Sequence, residues 1–89
     1  MLESAIKITN QLGLHARASA KWVNIASTYK SEVTLEKAGQ IVNGKSIMGV
    51  MMLAASYGAE LQLKVIGQDE QQAMQALLKL VDERFGEND

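Results

Sequence analysis

The sequence predicts an α+β fold: an open-faced two-layer sandwich in which a four-stranded antiparallel sheet carries three helices on one face. Three observations lead there. Four segments alternate apolar and polar residues with a period of two, so each strand has one dry and one wet face. Three other segments repeat their apolar residues at helical spacing. The order is βαββαβα, which suits a sheet covered on one side. At 89 residues the chain is one domain, residues 1–89, whose single core takes up most of the sequence.

The elements follow in order. Leu2 to Thr9 reads as a strand, with Ile6 and Ile8 on one side and Lys7 and Thr9 on the other. Asn10-Gln11-Leu12-Gly13 marks a loop. From Ala16 to about Thr28 a helix is expected, with Ala16, Ala20, Val23 and Ala26 as its core stripe and Trp22 and Ile25 at the edges. Glu32 to Lys37 alternates, with Val33 and Leu35 inward; Ala38-Gly39 turns the chain, and Gln40 to Val42 returns as a hairpin partner. Asn43-Gly44 is a turn dipeptide, and Ser46 is a favoured N-cap for a short helix through about Leu53. Glu60 to Ile66 is a strand with Leu61, Leu63 and Val65 inward. Asp69 is expected to cap the last helix, with Gln72 completing a capping box. Ala73, Ala76, Leu77, Leu80, Val81 and Phe85 form its apolar face, and Gly86 stops it.

Composition excludes several classes of function. Nine basic against ten acidic residues give a formal charge of −1, unlike a strongly basic nucleic-acid binder. Trp22, Tyr29, Tyr57 and Phe85 are scattered and make no base-stacking platform. Without cysteine there is no disulfide framework and no thiolate metal site, and a single histidine excludes a site needing two imidazoles from one chain. No carboxylate pair suggests acid–base work, so neither metal nor cofactor is expected. The start, Met1 to Ser4, lacks a basic region followed by an apolar stretch. The longest charge-free run, Ser46 to Ala59, has 14 residues, short of the ~20 that span a bilayer. A cytoplasmic protein without membrane insertion is the expectation.

One helix start breaks the local rules. His15, a poor N-cap, precedes the first helix, and Arg17 places a cation in the first turn, where the helix dipole disfavours it. Such an end leaves backbone N–H groups without internal partners and is prepared for an anion. The dipole disfavours imidazolium, a neutral ring nitrogen can attack a phosphoryl group, and Arg17 supplies a fork of donors suited to its oxygens. A lone histidine is also a common surface residue, so this spacing alone is compatible with no chemistry at all.

The stretch Leu12-Gly13-Leu14-His15-Ala16-Arg17 resembles the phosphorylation-site signature of the HPr family, the phosphocarriers of the bacterial phosphoenolpyruvate-dependent phosphotransferase system. Val42 to Met51, with Asn43-Gly44-Lys45-Ser46, resembles that family's second signature, around its regulatory serine. The resemblance covers nearly the whole chain. It implies that His15 accepts a phosphoryl group on Nδ1 from phosphorylated enzyme I and passes it to an enzyme IIA protein. It gives Arg17 the role of steadying that group. It also implies a carrier rather than a turnover enzyme, acting as a monomer.

Ser46 matches the serine that an ATP-dependent kinase, HPr kinase/phosphorylase, phosphorylates in many members; its capping role would by itself account for a serine there. The resemblance places partner docking on Ala16, Ala20, Lys21, Asn24, Lys45, Met48, Gly49 and Met52. Met48 and Met52 are expected to face out while Ile47, Val50, Met51 and Ala54 face the core, and Lys21 and Lys45 to form a basic fringe. One residue departs from the pattern of sugar-type members: Ala18 stands where they usually have proline. With Met51 to Ala55 and the Phe85-Gly86-Glu87 end, it resembles the nitrogen-related variant, often called NPr. The alternatives are a sugar-branch carrier for carbohydrate uptake and a docking module controlled through Ser46.

Overall fold

The computed structural model describes residues 1–87. Its elements are β1 (Leu2–Lys7), α1 (Ala16–Ser27), β2 (Glu32–Lys37), β3 (Gln40–Asn43), α2 (Ile47–Met52), β4 (Glu60–Ile66) and α3 (Glu70–Asp82), followed by a 3₁₀ turn at Arg84–Gly86. The strands form one antiparallel sheet in the order β1-β4-β2-β3. Leu63 at the middle of β4 lies opposite Ser4 of β1 and Leu35 of β2.

Alternation decides which face is covered. Ile6, Val33, Leu35, Val42, Leu61, Leu63 and Val65 are all buried, while the intervening residues are exposed or half-buried. The buried row meets Ala18, Trp22, Val23 and Ala26 of α1, Val50 of α2, and Ala73, Leu77, Leu80 and Val81 of α3 in one core. The expected sandwich is therefore the observed one. β1 is two residues shorter than expected, because Ile8 leaves the ladder and exchanges backbone hydrogen bonds with Gly58 and Ala59 instead.

The phase of two helices differs from the expectation. In α1 the buried residues are Ala18, Ser19, Trp22, Val23 and Ala26; Ala16 is exposed and Ala20 half-buried. Ser19 can be buried because its hydroxyl donates to the Leu14 carbonyl at 3.1 Å. In α2 only Val50 is buried; Ile47 and Met51 are 40% and 41% exposed rather than in the core, and Ala54 is exposed. Phe85 is buried as expected, but from the 3₁₀ turn, since α3 stops at Asp82.

Asp69 does not cap α3 through its side chain. Its carboxylate reaches the start of β2 instead, accepting from the Lys30 and Ser31 backbone N–H groups at 2.8 and 3.0 Å and from the Ser31 hydroxyl. The hydroxyl above all, then the Lys30 N–H, holds this carboxyl below the usual carboxylate range. A depressed folded value gives stability that is present above the unfolded value of about 4 and lost as pH falls through the folded value. Asp69→Asn should accordingly lower the denaturation midpoint near neutral pH. Its gap to the parent should close on acidification below about pH 4; a constant gap would show that the tie is not electrostatic.

Candidate phosphoryl-accepting site

His15 is the N-cap of α1, with extended backbone angles and no side-chain capping bond. Its carbonyl accepts the first helical hydrogen bond, from the Ser19 N–H at 2.9 Å. The N–H groups of Ala16, Arg17 and Ala18 lie ahead of that bond. Among the described residues none of them has a backbone or capping partner, and the first turn holds no acid. This is the anion-ready end expected from the sequence. Arg17 is exposed beside it and makes no ion pair among the described residues.

The loop before His15 is fixed at both of its ends. Gly13 takes φ +66°, a left-handed conformation favoured by glycine, and its N–H closes a turn onto the Asn10 carbonyl. The next N–H, of Leu14, donates to the Ala55 carbonyl at 2.8 Å, tying the loop to the segment between α2 and β4. Asn10 is fully buried and braces the loop from inside, donating from Nδ2 to the Gly13 carbonyl at 2.8 Å.

Glu87 also joins the site. Its Oε2 lies 2.5 Å from His15 Nε2, and its Oε1 accepts from Asn10 Nδ2 at 3.0 Å. The Glu87 side chain is only 10% exposed, the His15 ring 26%. In the sequence Glu87 stands only as a marker of branch and Asn10 as a loop residue, and neither is signalled as part of the site. No local pattern signals the contact, which joins residues 72 positions apart.

The remaining candidates lie along α1 and at or just before α2, and Lys45 is bonded to Tyr29 beyond the C-terminal end of α1, away from His15. Ser46 caps α2, accepting from the Gly49 N–H at 3.1 Å. Ala16, Asn24, Met48 and Met52 are exposed, and Ala20, Lys21, Lys45 and Gly49 half-buried. Met48 and Met52 do face out, at 75% and 64% exposure, joined by Ile47 and Met51. The two lysines are less free than a basic fringe implies. Lys21 Nζ donates to the Phe85 carbonyl at 2.6 Å and Lys45 Nζ to the Tyr29 carbonyl at 2.7 Å. Each keeps its charge and further N–H donors, but both are held inward. Among the described residues no group of three histidine, aspartate or glutamate side chains could hold a metal, and no helix is long and apolar enough to cross a membrane.

Known proteins are similar to this chain over nearly its whole length. Residues 2–83 match the family described as PTS HPr component, phosphorylation site. The phosphocarrier protein HPr of Neisseria meningitidis serogroup A is 53% identical over 89 residues, covering all of both chains. The solved structure of HPr-C-His from Thermoanaerobacter tengcongensis superposes with a TM-score of 0.96 at 44% identity, covering 99% of each chain. A structure described as the HPr dimer of the same organism gives 0.79 at 45%, covering 98% of this chain and 100% of that one. With matched signatures, a shared fold and identities this high over full length, the chain belongs to the HPr family, the phosphocarriers of the phosphotransferase system.

Proposed function

We propose that His15 accepts a phosphoryl group from phosphorylated enzyme I through Nδ1 and hands it to an enzyme IIA protein, with Arg17 steadying the group in transit. The observation that carries this is the uncapped start of α1. Three N–H groups without backbone or capping partners and the positive end of a helix dipole lie next to the only imidazole in the chain. Nε2 faces Glu87, so Nδ1 is the nitrogen left for attack. Phosphoryl transfer asks mainly for positioning and charge stabilisation, and in this reading the backbone N–H groups and Arg17 supply both. The acting form in this reading is a cytoplasmic monomer. The dimer of the T. tengcongensis relative is the competing assembly, and a dimer mass by light scattering would count against the monomer.

The partner face we assign to Ala16, Ala20, Lys21, Asn24, Lys45, Met48, Gly49 and Met52, on α1, on α2 and, for Lys45, in the turn before α2; the two helices pack against each other. Exposed methionines on α2 give a soft apolar surface able to fit more than one partner. For Ser46 we propose a second role as substrate of HPr kinase/phosphorylase. A phosphate there would bring nearly two negative charges to the docking face. Failure of the kinase and ATP to label Ser46 would leave only its cap.

The branch we assign is the nitrogen-related one, on Ala18, the Met51 to Ala55 run and the Phe85-Gly86-Glu87 end. The relatives are named plainly HPr, and the sugar-branch carrier is the alternative reading. One experiment addresses donor and branch together: incubation with phosphoenolpyruvate and enzyme I of either branch, followed by mass measurement. The expected result is one acid-labile phosphoryl group on His15, added faster by the nitrogen-branch enzyme. Faster labelling by the sugar-branch enzyme overturns the branch; labelling by neither overturns the carrier and leaves a docking module.

A further inference from the structure

We propose that Glu87, held in place by Asn10, is a positioning residue for phosphoryl transfer: it fixes the proton of the His15 ring on Nε2 and faces the charge the ring takes on. This rests on the carrier reading of His15 and adds a residue that none of the matched signatures contains.

The first support is hydrogen-bond arithmetic. An ionised carboxylate only accepts, so a bond between Glu87 Oε2 and His15 Nε2 requires the proton to sit on Nε2. In the neutral ring the lone pair is then on Nδ1, the nitrogen not engaged with Glu87. A carboxylate or carbonyl on the far nitrogen is the usual means by which proteins fix a histidine tautomer and ring orientation.

The second support is that the carboxylate is itself held. Asn10 is fully buried and bonds Glu87 Oε1 at 3.0 Å and the Gly13 carbonyl at 2.8 Å with the same amide nitrogen. Among the described residues its own Oδ1 is buried without a partner, a cost the loop bears to keep that nitrogen aimed at Glu87. One side chain thus links the loop that places His15 to the residue that orients it.

The third support is the backbone that delivers Glu87. Arg84 and Phe85 both take left-handed angles, φ +55° and +56°, and Gly86 follows at +74°. For the two non-glycine residues this conformation is strained, because the Cβ crowds the backbone. Burial of Phe85 and the Lys21 bond to its carbonyl hold the turn in place. Strain of this kind persists where the surroundings over-determine it, and here it reverses the chain beyond α3 so that Glu87 returns to His15.

The chemistry balances. As the group arrives, the donor–phosphorus bond breaks and the Nδ1–phosphorus bond forms. The Nε2 proton stays in its bond to Glu87, so the ring becomes positively charged opposite the carboxylate. On delivery the Nδ1–phosphorus bond breaks toward the acceptor's nucleophile and the ring returns to neutral with its proton where it began. Glu87 thus favours the charged intermediate without touching the phosphoryl group.

Because the chain has one histidine, ring ¹⁵N spectra of the unphosphorylated protein report this site alone, and independently of any carrier activity. At mildly alkaline pH the parent should show a protonated Nε2 and an unprotonated Nδ1. Glu87→Ala should move both shifts toward a mixture of tautomers and slow transfer from enzyme I roughly 10- to 100-fold. Glu87→Gln keeps an oxygen acceptor but not the charge, so it should retain the tautomer and still slow transfer. Unmoved nitrogen shifts in Glu87→Ala, or full-speed transfer in Glu87→Gln, would overturn the proposal. A parent with the stated tautomer that enzyme I does not label would instead count against the carrier reading.

Discussion

His15→Ala should abolish the acid-labile phosphate that enzyme I and phosphoenolpyruvate place on the parent chain, while leaving the fold intact. The size of the effect follows from composition. With one histidine and no cysteine, no second imidazole or thiolate can take over. Ser46, the nearest rival by motif, has a hydroxyl engaged with the Gly49 N–H, and a serine phosphate is stable in acid and would be told apart. The small effect on stability follows from the structure. His15 contributes its backbone, not its side chain, to the start of α1, because the ring makes no capping bond. Alanine keeps the carbonyl that accepts from Ser19. Glu87 loses the ring but keeps Asn10, so its carboxylate is not stranded. The ring of the unphosphorylated chain is neutral, so what is lost is one hydrogen bond, on the order of 1 kcal/mol. Mass spectrometry and a thermal melt on the same sample check both halves. Acid-labile phosphate surviving in the variant would move the accepting residue elsewhere.

What could be read from the sequence depends on how much contrast the residues offer. β4 alternates leucine and valine with glutamine and lysine, so both its span and its buried face were plain. In α1 the choice lay largely among alanines and a serine, which differ little in size or polarity once Ser19 finds the Leu14 carbonyl, so the phase of the stripe slipped. α2 is apolar nearly all round, and periodicity cannot choose a face when every face qualifies. Asp69 stood at a good capping position yet bonds Lys30 and Ser31, which only the assembled sheet brings near. The site divides in the same way. His15 and Arg17 announced themselves by breaking helix-start rules within three residues. Asn10 and Glu87 broke no rule, and the left-handed pair Arg84-Phe85 that joins them to the site has no sequence signature.

Gly13→Ala should be far more damaging than Gly39→Ala, and their surroundings show why. Both glycines have left-handed angles, φ +66° and +87°, so alanine at either pays about 1–2 kcal/mol for the conformation alone. They differ in their surroundings. A Cβ on Gly39, at the exposed tip between β2 and β3, would meet nothing within 4 Å. On Gly13 it would stand 2.4 Å from the Ala55 carbonyl oxygen and 2.8 Å from the Ser56 Cα, both backbone atoms that no rotamer change can move aside. The loop must then part from the Ala55–Ser56 segment, and the Leu14 bond to the Ala55 carbonyl goes with it. Asn10 bonds the Gly13 carbonyl, so the displacement reaches Glu87 and the His15 ring through one amide. Denaturant titration should give a loss for Gly13→Ala at least 2 kcal/mol greater than for Gly39→Ala, on the order of a lost bond plus a backbone clash. His15 ring shifts should move in the first variant only. Equal losses would mean that the loop yields without cost, and that the placement of His15 does not depend on the close approach of these two segments.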